Sequence, residues 1–129
     1  MKREMLRAKI HRITVTERNV AYEGSLTLDR DLMDAADMLP YERIEVYDVD
    51  NGNRFATYLI EGQRGSGDCC VNGAAARLVE PGHKLILATY GAVEDAAAPS
   101  HRPRVVLIGE SNRIRGISDF ERAHVEHPG

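Results

Sequence analysis

The chain has 129 residues, 43% of them apolar and 29% charged, and a formal net charge of −3. That length suits one domain around one core, and the balance is ordinary for a soluble globular protein. A negative charge with only 5% aromatic residues leaves neither a polycationic face nor stacking platforms, so nucleic acid is not an expected partner.

Lys2, Arg3 and Arg7 open the chain, but only a short apolar interval follows. No signal-peptide core and no membrane-spanning run are expected, and a cytoplasmic location is. Leu6 to Val15 alternates imperfectly, with Ile10, Ile13 and Val15 apolar, and predicts a strand. Asn19 to Glu23 predicts a second short strand that ends at Gly24-Ser25. Asp29 or Asp31 can cap a helix with Leu32, Met33, Ala36 and Leu39 on its apolar face, stopped by Pro40. Arg43 to Val49 and Arg54 to Ile60 predict a hairpin, and Asn51-Gly52 favours a type I′ turn.

Arg64 to Asp68 reads as a loop and Cys69 to Val71 as a short strand. Gly73 to Leu78 predicts a helical turn starting near Asn72. Lys84 to Tyr90 is a strong strand, Ala92 to Pro103 a connector, and Arg104 to Ile108 the final strand. After Glu110 the apolar pattern fades, so residues 1–117 form the expected domain and 118–129 a flexible tail. Cys69 and Cys70 are adjacent, which suits neither a disulfide nor a zinc site; they read as small strand hydrophobes in a reducing compartment. His83, His101, His124 and His127 show no metal-ligand spacing and receive no role. Many short strands with brief helices predict a mainly β fold, a small closed barrel.

Three elements carry candidate chemistry. In Tyr22-Glu23-Gly24-Ser25, the Ser25 hydroxyl stands beside the Gly24 carbonyl, and Gly24 permits backbone angles that other residues resist. A serine so placed can attack its own preceding peptide bond, although alone Gly-Ser is an ordinary turn. In Asn72-Gly73-Ala74-Ala75-Ala76, the Asn72 amide and the leading NH groups of a helical turn can hold an oxyanion or carboxylate, or Asn72 simply caps the turn. On the strand from Arg54, the residues Arg54 and Tyr58 share one face and Thr57 takes the other. Arg54 can clamp a carboxylate and Tyr58 can donate a proton. Thr57 facing away is a difficulty for one shared pocket. Lys9 and His11 share a face of the first strand and offer positive charge to an acidic substrate.

In order and spacing, these residues resemble the pyruvoyl-dependent aspartate 1-decarboxylases, from about Met5 to about Ile108. Tyr47 stands where some members carry tryptophan. The resemblance implies a six-stranded double-psi β-barrel, a homotetramer with active sites shared between subunits, and self-cleavage between Gly24 and Ser25. It implies that Ser25 becomes a pyruvoyl cofactor that forms an imine with L-aspartate, with no metal and no pyridoxal phosphate, and that β-alanine is released for pantothenate synthesis. By position, Thr57 promotes processing, Asn72 steadies its oxyanion, and Tyr58 is the proton donor in turnover. Arg54 and Lys9 bind substrate carboxylate, with His11, Thr57, Gly73, Ala74, Ala75 and Ala76 assisting.

Other readings stay open. A pyruvoyl decarboxylase of another amino acid would separate in a substrate panel. A β-barrel binding module for an anionic ligand would keep an intact chain, as would an unprocessed, inactive relative.

Overall fold

In the computed structural model, which describes residues 1–121, the first strand, β1, runs Lys2–Thr14. Its imperfect alternation has a local cause. Ile10 and Ile13 are three residues apart, yet both are fully buried. The register against its neighbour shifts between His11 and Ile13, and Arg12 between them has φ of 66°. This bulge turns a second set of apolar side chains, Ile13 and Val15, back to the core.

The remaining elements are β2 (Glu17–Asn19), β3 (Ser25–Asp29), α1 (Arg30–Ala36), β4 (Arg43–Asp48), β5 (Arg54–Gly62), β6 (Cys69–Asn72), β7 (Lys84–Glu94), β8 (Arg104–Ile108) and β9 (Ile114–Ser118). Short 3₁₀ turns cover Gly73–Leu78, Ala98–Ser100 and Glu110–Asn112. The fold is mainly β, with one hydrogen-bonded order: β2-β6-β3-β5-β4-β7-β1-β8-β9. Most neighbours are antiparallel; β1/β8, β2/β6 and β3/β5 are parallel. Ile10, Leu26, Leu28, Ile44, Leu59 and Leu87 are all fully buried and form the centre of the core.

Several expectations are corrected. The second strand is Glu17–Asn19, not Asn19 to Glu23, so Gly24-Ser25 lies at the entrance of β3 rather than at the end of a strand. The reason is tertiary: β6 supplies backbone partners to Ser25–Leu28, whereas residues 20–24 must pass across its end. Helix α1 is capped by Asp29, as expected, but ends at Asp37 in a left-handed cap with φ of 55°. Met38 N then donates to Met33 O at 2.8 Å, so Met38 is buried and Leu39 is 61% exposed. The hairpin turn is not type I′, since only Gly52 has positive φ (78°) and Asn51 does not. Instead Gly52 N donates to Asp48 O and Asp48 N to Asn53 O, both at 2.9 Å, which closes a four-residue loop. Strand β7 continues to Glu94, into the expected connector.

Strand β8 has the expected bounds but is not the last. β9 pairs with it antiparallel, and the link is anchored by Asn112, only 4% exposed. Asn112 Oδ1 accepts from Thr14 N at 2.9 Å; its Nδ2 donates to Thr14 O at 2.9 Å and Gly67 O at 2.8 Å. A fading apolar pattern concealed a segment held by hydrogen bonds of a side-chain amide and of the strand backbone rather than by apolar burial. The flexible tail expected for 118–129 falls largely on residues 122–129, which lie outside the described residues.

His83 also has a place. Its Nδ1 lies 2.8 Å from Asp48 Oδ2, and that hydrogen bond raises its pKa above the usual 6.5. Asp48 Oδ1 accepts from Asp50 N at 2.8 Å and Asp50 Oδ2 from Lys84 N at 2.7 Å, so the cluster staples the hairpin to β7.

Two outcomes are expected. Asn112→Ala leaves Thr14 N–H and two carbonyls without their partner and should lower stability by about 2–3 kcal/mol, measured by urea unfolding. Because the folded His83 pKa is raised, its pairing should contribute fully below about pH 6.5 and be lost as pH climbs through the folded value. Unfolding across that window, wild type against His83→Gln, checks the sign.

Candidate functional site

Strands β2 and β3 are consecutive in the chain but lie on opposite sides of β6. Asn19 of β2 and Ser25 of β3 are both register partners of the same residue, Asn72. Residues 20–24 therefore arch across the end of β6, over a width of about 10 Å, two strand spacings. Gly73 follows Asn72 beneath that arch with φ of +72°. A Cβ at Gly73 would stand 2.5 Å from Gly24 Cα and 2.6 Å from Gly24 N. Glycine is required at 73 twice over, by backbone angle and by contact.

The expected freedom at Gly24 itself is not used. Its φ lies outside the left-handed range, and a Cβ there would meet nothing within 4 Å. The glycine that the close approach demands is the partner, not the residue before Ser25.

Ser25 is fully buried. Its Oγ accepts from Asn72 Nδ2 at 3.0 Å and donates to Glu23 O at 3.4 Å, one peptide unit before the Gly24–Ser25 bond. Asn72 is 4% exposed and gives a second hydrogen bond to Thr27 Oγ1 at 3.1 Å. It makes no cap to the 3₁₀ turn Gly73–Leu78, because its amide is committed to β3. Cys70 Sγ donates to Asn72 Oδ1 at 3.2 Å, which determines that the NH₂ side faces Ser25. Burial, then the Glu17 carboxylate, raise the Cys70 thiol pKa, keeping it a donor. Cys70 and Thr27 were not singled out from sequence. Their signal was present: each stands two residues from a site residue on the same strand face.

Strand β5 brings Thr57 and Tyr58 to the same edge. Leu26 and Leu59 are parallel register partners. One position upstream in both strands stand Ser25 and Tyr58, and one further Gly24 and Thr57. Alternation turns Ser25, Thr27 and Tyr58 to one side and Thr57 to the other. The face split expected from sequence is therefore present within one chain. Tyr58 is half-buried, its ring centroid 6.5 Å from that of Tyr41.

The expected cationic residues lie elsewhere. Arg54 begins β5, exposed, with its guanidinium 4.4 Å from the centroid of Tyr47. Tyr47 shares a 2.9 Å hydroxyl contact with Tyr90; burial and that hydrogen bond push its pKa up to about 12, so it stays neutral. Lys9 sits on β1 between β7 and β8, and its Nζ pairs with Glu121 at 3.0 Å. His11 follows on the same strand, against Ile86 and Leu107. Strand β1 is separated from β3 in the sheet order by β5, β4 and β7. Ala74 is exposed, Ala75 half-buried and Ala76 fully buried at the head of the 3₁₀ turn.

A buried serine, an oriented amide and a cradle closed to side chains are features that relatives can be asked about. The sequence profile of the aspartate decarboxylase family matches residues 1–115. An aspartate 1-decarboxylase of Heliobacterium modesticaldum is 57% identical over 122 residues, 95% of this chain and 91% of the relative. Those of Ralstonia pickettii and Bordetella pertussis are 53% and 52% identical, over 92% and 93% of this chain and 99% and 98% of their own lengths. With likeness at that level across nearly the whole sequence, the chain belongs to the aspartate decarboxylase family.

Proposed function

We infer that this chain is a self-processing decarboxylase that converts L-aspartate to β-alanine and carbon dioxide, supplying a precursor of pantothenate and coenzyme A in the cytoplasm. Beside family membership, one observation carries the reading: the fully buried Ser25 hydroxyl, 3.0 Å from the Asn72 amide, at the end of an arch resting on Gly73.

In processing, Ser25 Oγ attacks the Gly24 carbonyl carbon and an oxyanion forms. Asn72 Nδ2 is the donor for that charge; one such donor is worth about 3 kcal/mol at the transition state. The Gly24–Ser25 C–N bond breaks, the hydroxyl proton passes to the new amine, and Gly24 is left as an ester on Ser25 Oγ. Loss of the Ser25 α-proton expels the Gly24 carboxylate and leaves dehydroalanine. Water then replaces its nitrogen, releasing ammonia, and the second fragment begins with a pyruvoyl group. Thr57, on the Gly24 side of β5, promotes this processing.

The residues present fit such a group. Asn72 NH₂ and Thr27 OH, 3.1 Å apart, are donors suited to keto and amide oxygens. When formed, the α-keto amide supplies an electron sink for the departing carboxylate. Tyr58, one register step from Leu59 on the Ser25 side, delivers a proton to the former α-carbon. Arg54 grips the side-chain carboxylate that stays, with its guanidinium over the Tyr47 ring. Lys9 adds positive charge, with His11 beside it, while Gly73, Ala74 and Ala75 contact the substrate through their backbone.

Lys9, on β1, is separated from Ser25 by three strands of the sheet order, and Arg54, although on the neighbouring β5, stands four residues before Tyr58; both placements favour active sites completed by a neighbouring subunit of a homotetramer. We read residues 1–117 as one domain, a closed six-stranded double-psi barrel. Two crossovers support that topology: β2 and β3 flank β6, and β7 and β8 flank β1, each an antiparallel pair split by a third strand. Thr16 N donates to Cys69 O at 3.0 Å, which ties the chain after β1 to β6 and favours closure.

Three measurements test the function. Intact-mass spectrometry should find two fragments, 1–24 and 25–129, the second with a keto terminus that phenylhydrazine labels; a chain that stays whole after prolonged incubation would refute self-processing. Ser25→Ala should remain uncut and release no carbon dioxide from aspartate. Tyr58→Phe should still cleave but turn over about 10²-fold or more slowly, the contribution of a general acid; near-normal turnover would reassign the proton donor.

A further inference from the structure

We propose that Asn51, Asn53 and Arg18 form a clamp on the carbonyl end of the 3₁₀ turn Gly73–Leu78, and that this clamp positions Gly73 beneath Gly24 and so governs the rate of self-processing. The proposal rests on the reading of Ser25 as the processing nucleophile.

A short 3₁₀ turn is a weak element, and its last carbonyls ordinarily turn to water. Here the Ala76 and Leu78 carbonyls, and that of Val79 just beyond the turn, are held by side chains from elsewhere. Leu78 O accepts from Asn51 Nδ2 and from Asn53 Nδ2, both at 2.9 Å. Arg18 donates to Val79 O at 3.0 Å and to Ala76 O at 3.4 Å, and Glu80 Oε1 braces it at 3.1 Å. Donors therefore grip the turn from the β4–β5 hairpin and from β2.

The hairpin half of the clamp is prepared before it binds. Asn51 Oδ1 accepts from Asn53 N at 2.9 Å, and Asn51 N donates to Asp48 Oδ1 at 3.3 Å. The turn requires glycine at 52, where φ is 78°, but places no such demand on position 53. An asparagine there is accounted for by the Leu78 carbonyl. Arg18 is fixed from its backbone, as the register partner of Val71, one residue before Asn72.

The consequence lies at the other end of the turn. Gly73–Leu78 spans about 10 Å at the 3₁₀ rise. Its carbonyl end is clamped, and its head, Gly73, packs so closely on Gly24 that a methyl group would not fit. Asn72, immediately before that head, carries the amide that meets Ser25. Releasing Leu78 or Val79 allows the turn to pivot, and both the Gly73 contact and the Asn72 donor move with it. A displacement near 1 Å at a reacting centre costs up to about 10²-fold in rate.

The test follows cleavage of newly synthesised chain with time by intact mass, for wild type, Asn51→Ala/Asn53→Ala, Arg18→Ala and Arg18→Lys. Asn112→Ala, which weakens the fold away from the turn, is the control for stability alone, with unfolding midpoints measured for all. Expected are cleavage slowed roughly ten- to a hundredfold in the double variant and in Arg18→Ala, partial recovery in Arg18→Lys, and a near-normal rate in Asn112→Ala. Should the double variant fail to fold, the Arg18 pair decides by the same comparison. Wild-type cleavage rates in the folded clamp variants, or equal slowing in Asn112→Ala, would overturn the clamp alone. An uncut wild type would overturn the processing reading and the clamp with it.

Discussion

One residue of β6 is shared by two strands that follow one another in the chain, and the site depends on that sharing. Because Asn19 and Ser25 both pair with Asn72, the five residues between them have to cross the strand end rather than turn back on themselves. Backbone is thereby pressed onto backbone at Gly24 and Gly73, where no side chain can separate them. The same pairing buries Ser25 and delivers the Asn72 amide to its hydroxyl. Burial, orientation and close approach are consequences of a single register.

Buried polar side chains elsewhere do different work. Asp29 accepts from Asp31 N, Gly65 N and Gly67 N, joining the helix start to the loop before β6. Asp48 ties the hairpin turn to His83, and Asn112 ties the chain after β8 to Thr14 and Gly67. Each satisfies backbone groups that burial would otherwise leave costly. Asn72 is the exception: it gives up the cap of its own 3₁₀ turn and spends its amide on two hydroxyls of β3. That departure from the local rule follows from the register that sets Asn72 opposite Ser25.

The cations follow another logic. Arg54 and Lys9 are engaged within the chain, one stacked on Tyr47 and the other paired with Glu121. Tyr47 sits where tryptophan would present a larger face, and its hydroxyl gains the contact with Tyr90 that an indole could not make in the same way. The aromatic partner of Arg54 is thus itself held by a hydrogen bond.

Much of this was legible in the chain alone. Alternation located β4, β5, β7 and β8, Asp29 announced its helix, and Asn-Gly announced a hairpin. Residue types at Ser25, Tyr58 and Asn72 offered a hydroxyl, a phenol and an amide, because those groups reside in single side chains; the roles given to them belong to the proposed reaction. Other matters were out of reach. Nothing in a one-dimensional pattern says that Ser25 meets an amide 47 positions away, or that the demanding glycine is Gly73 rather than Gly24. Nor could it say that Arg18 reaches a carbonyl 61 positions on, or that Asn112 anchors a stretch with no apolar signal. Local sequence determines which groups a segment can offer. Which groups meet is decided by strand order and register, and those arise only when distant segments compete for the same backbone partners and the same core.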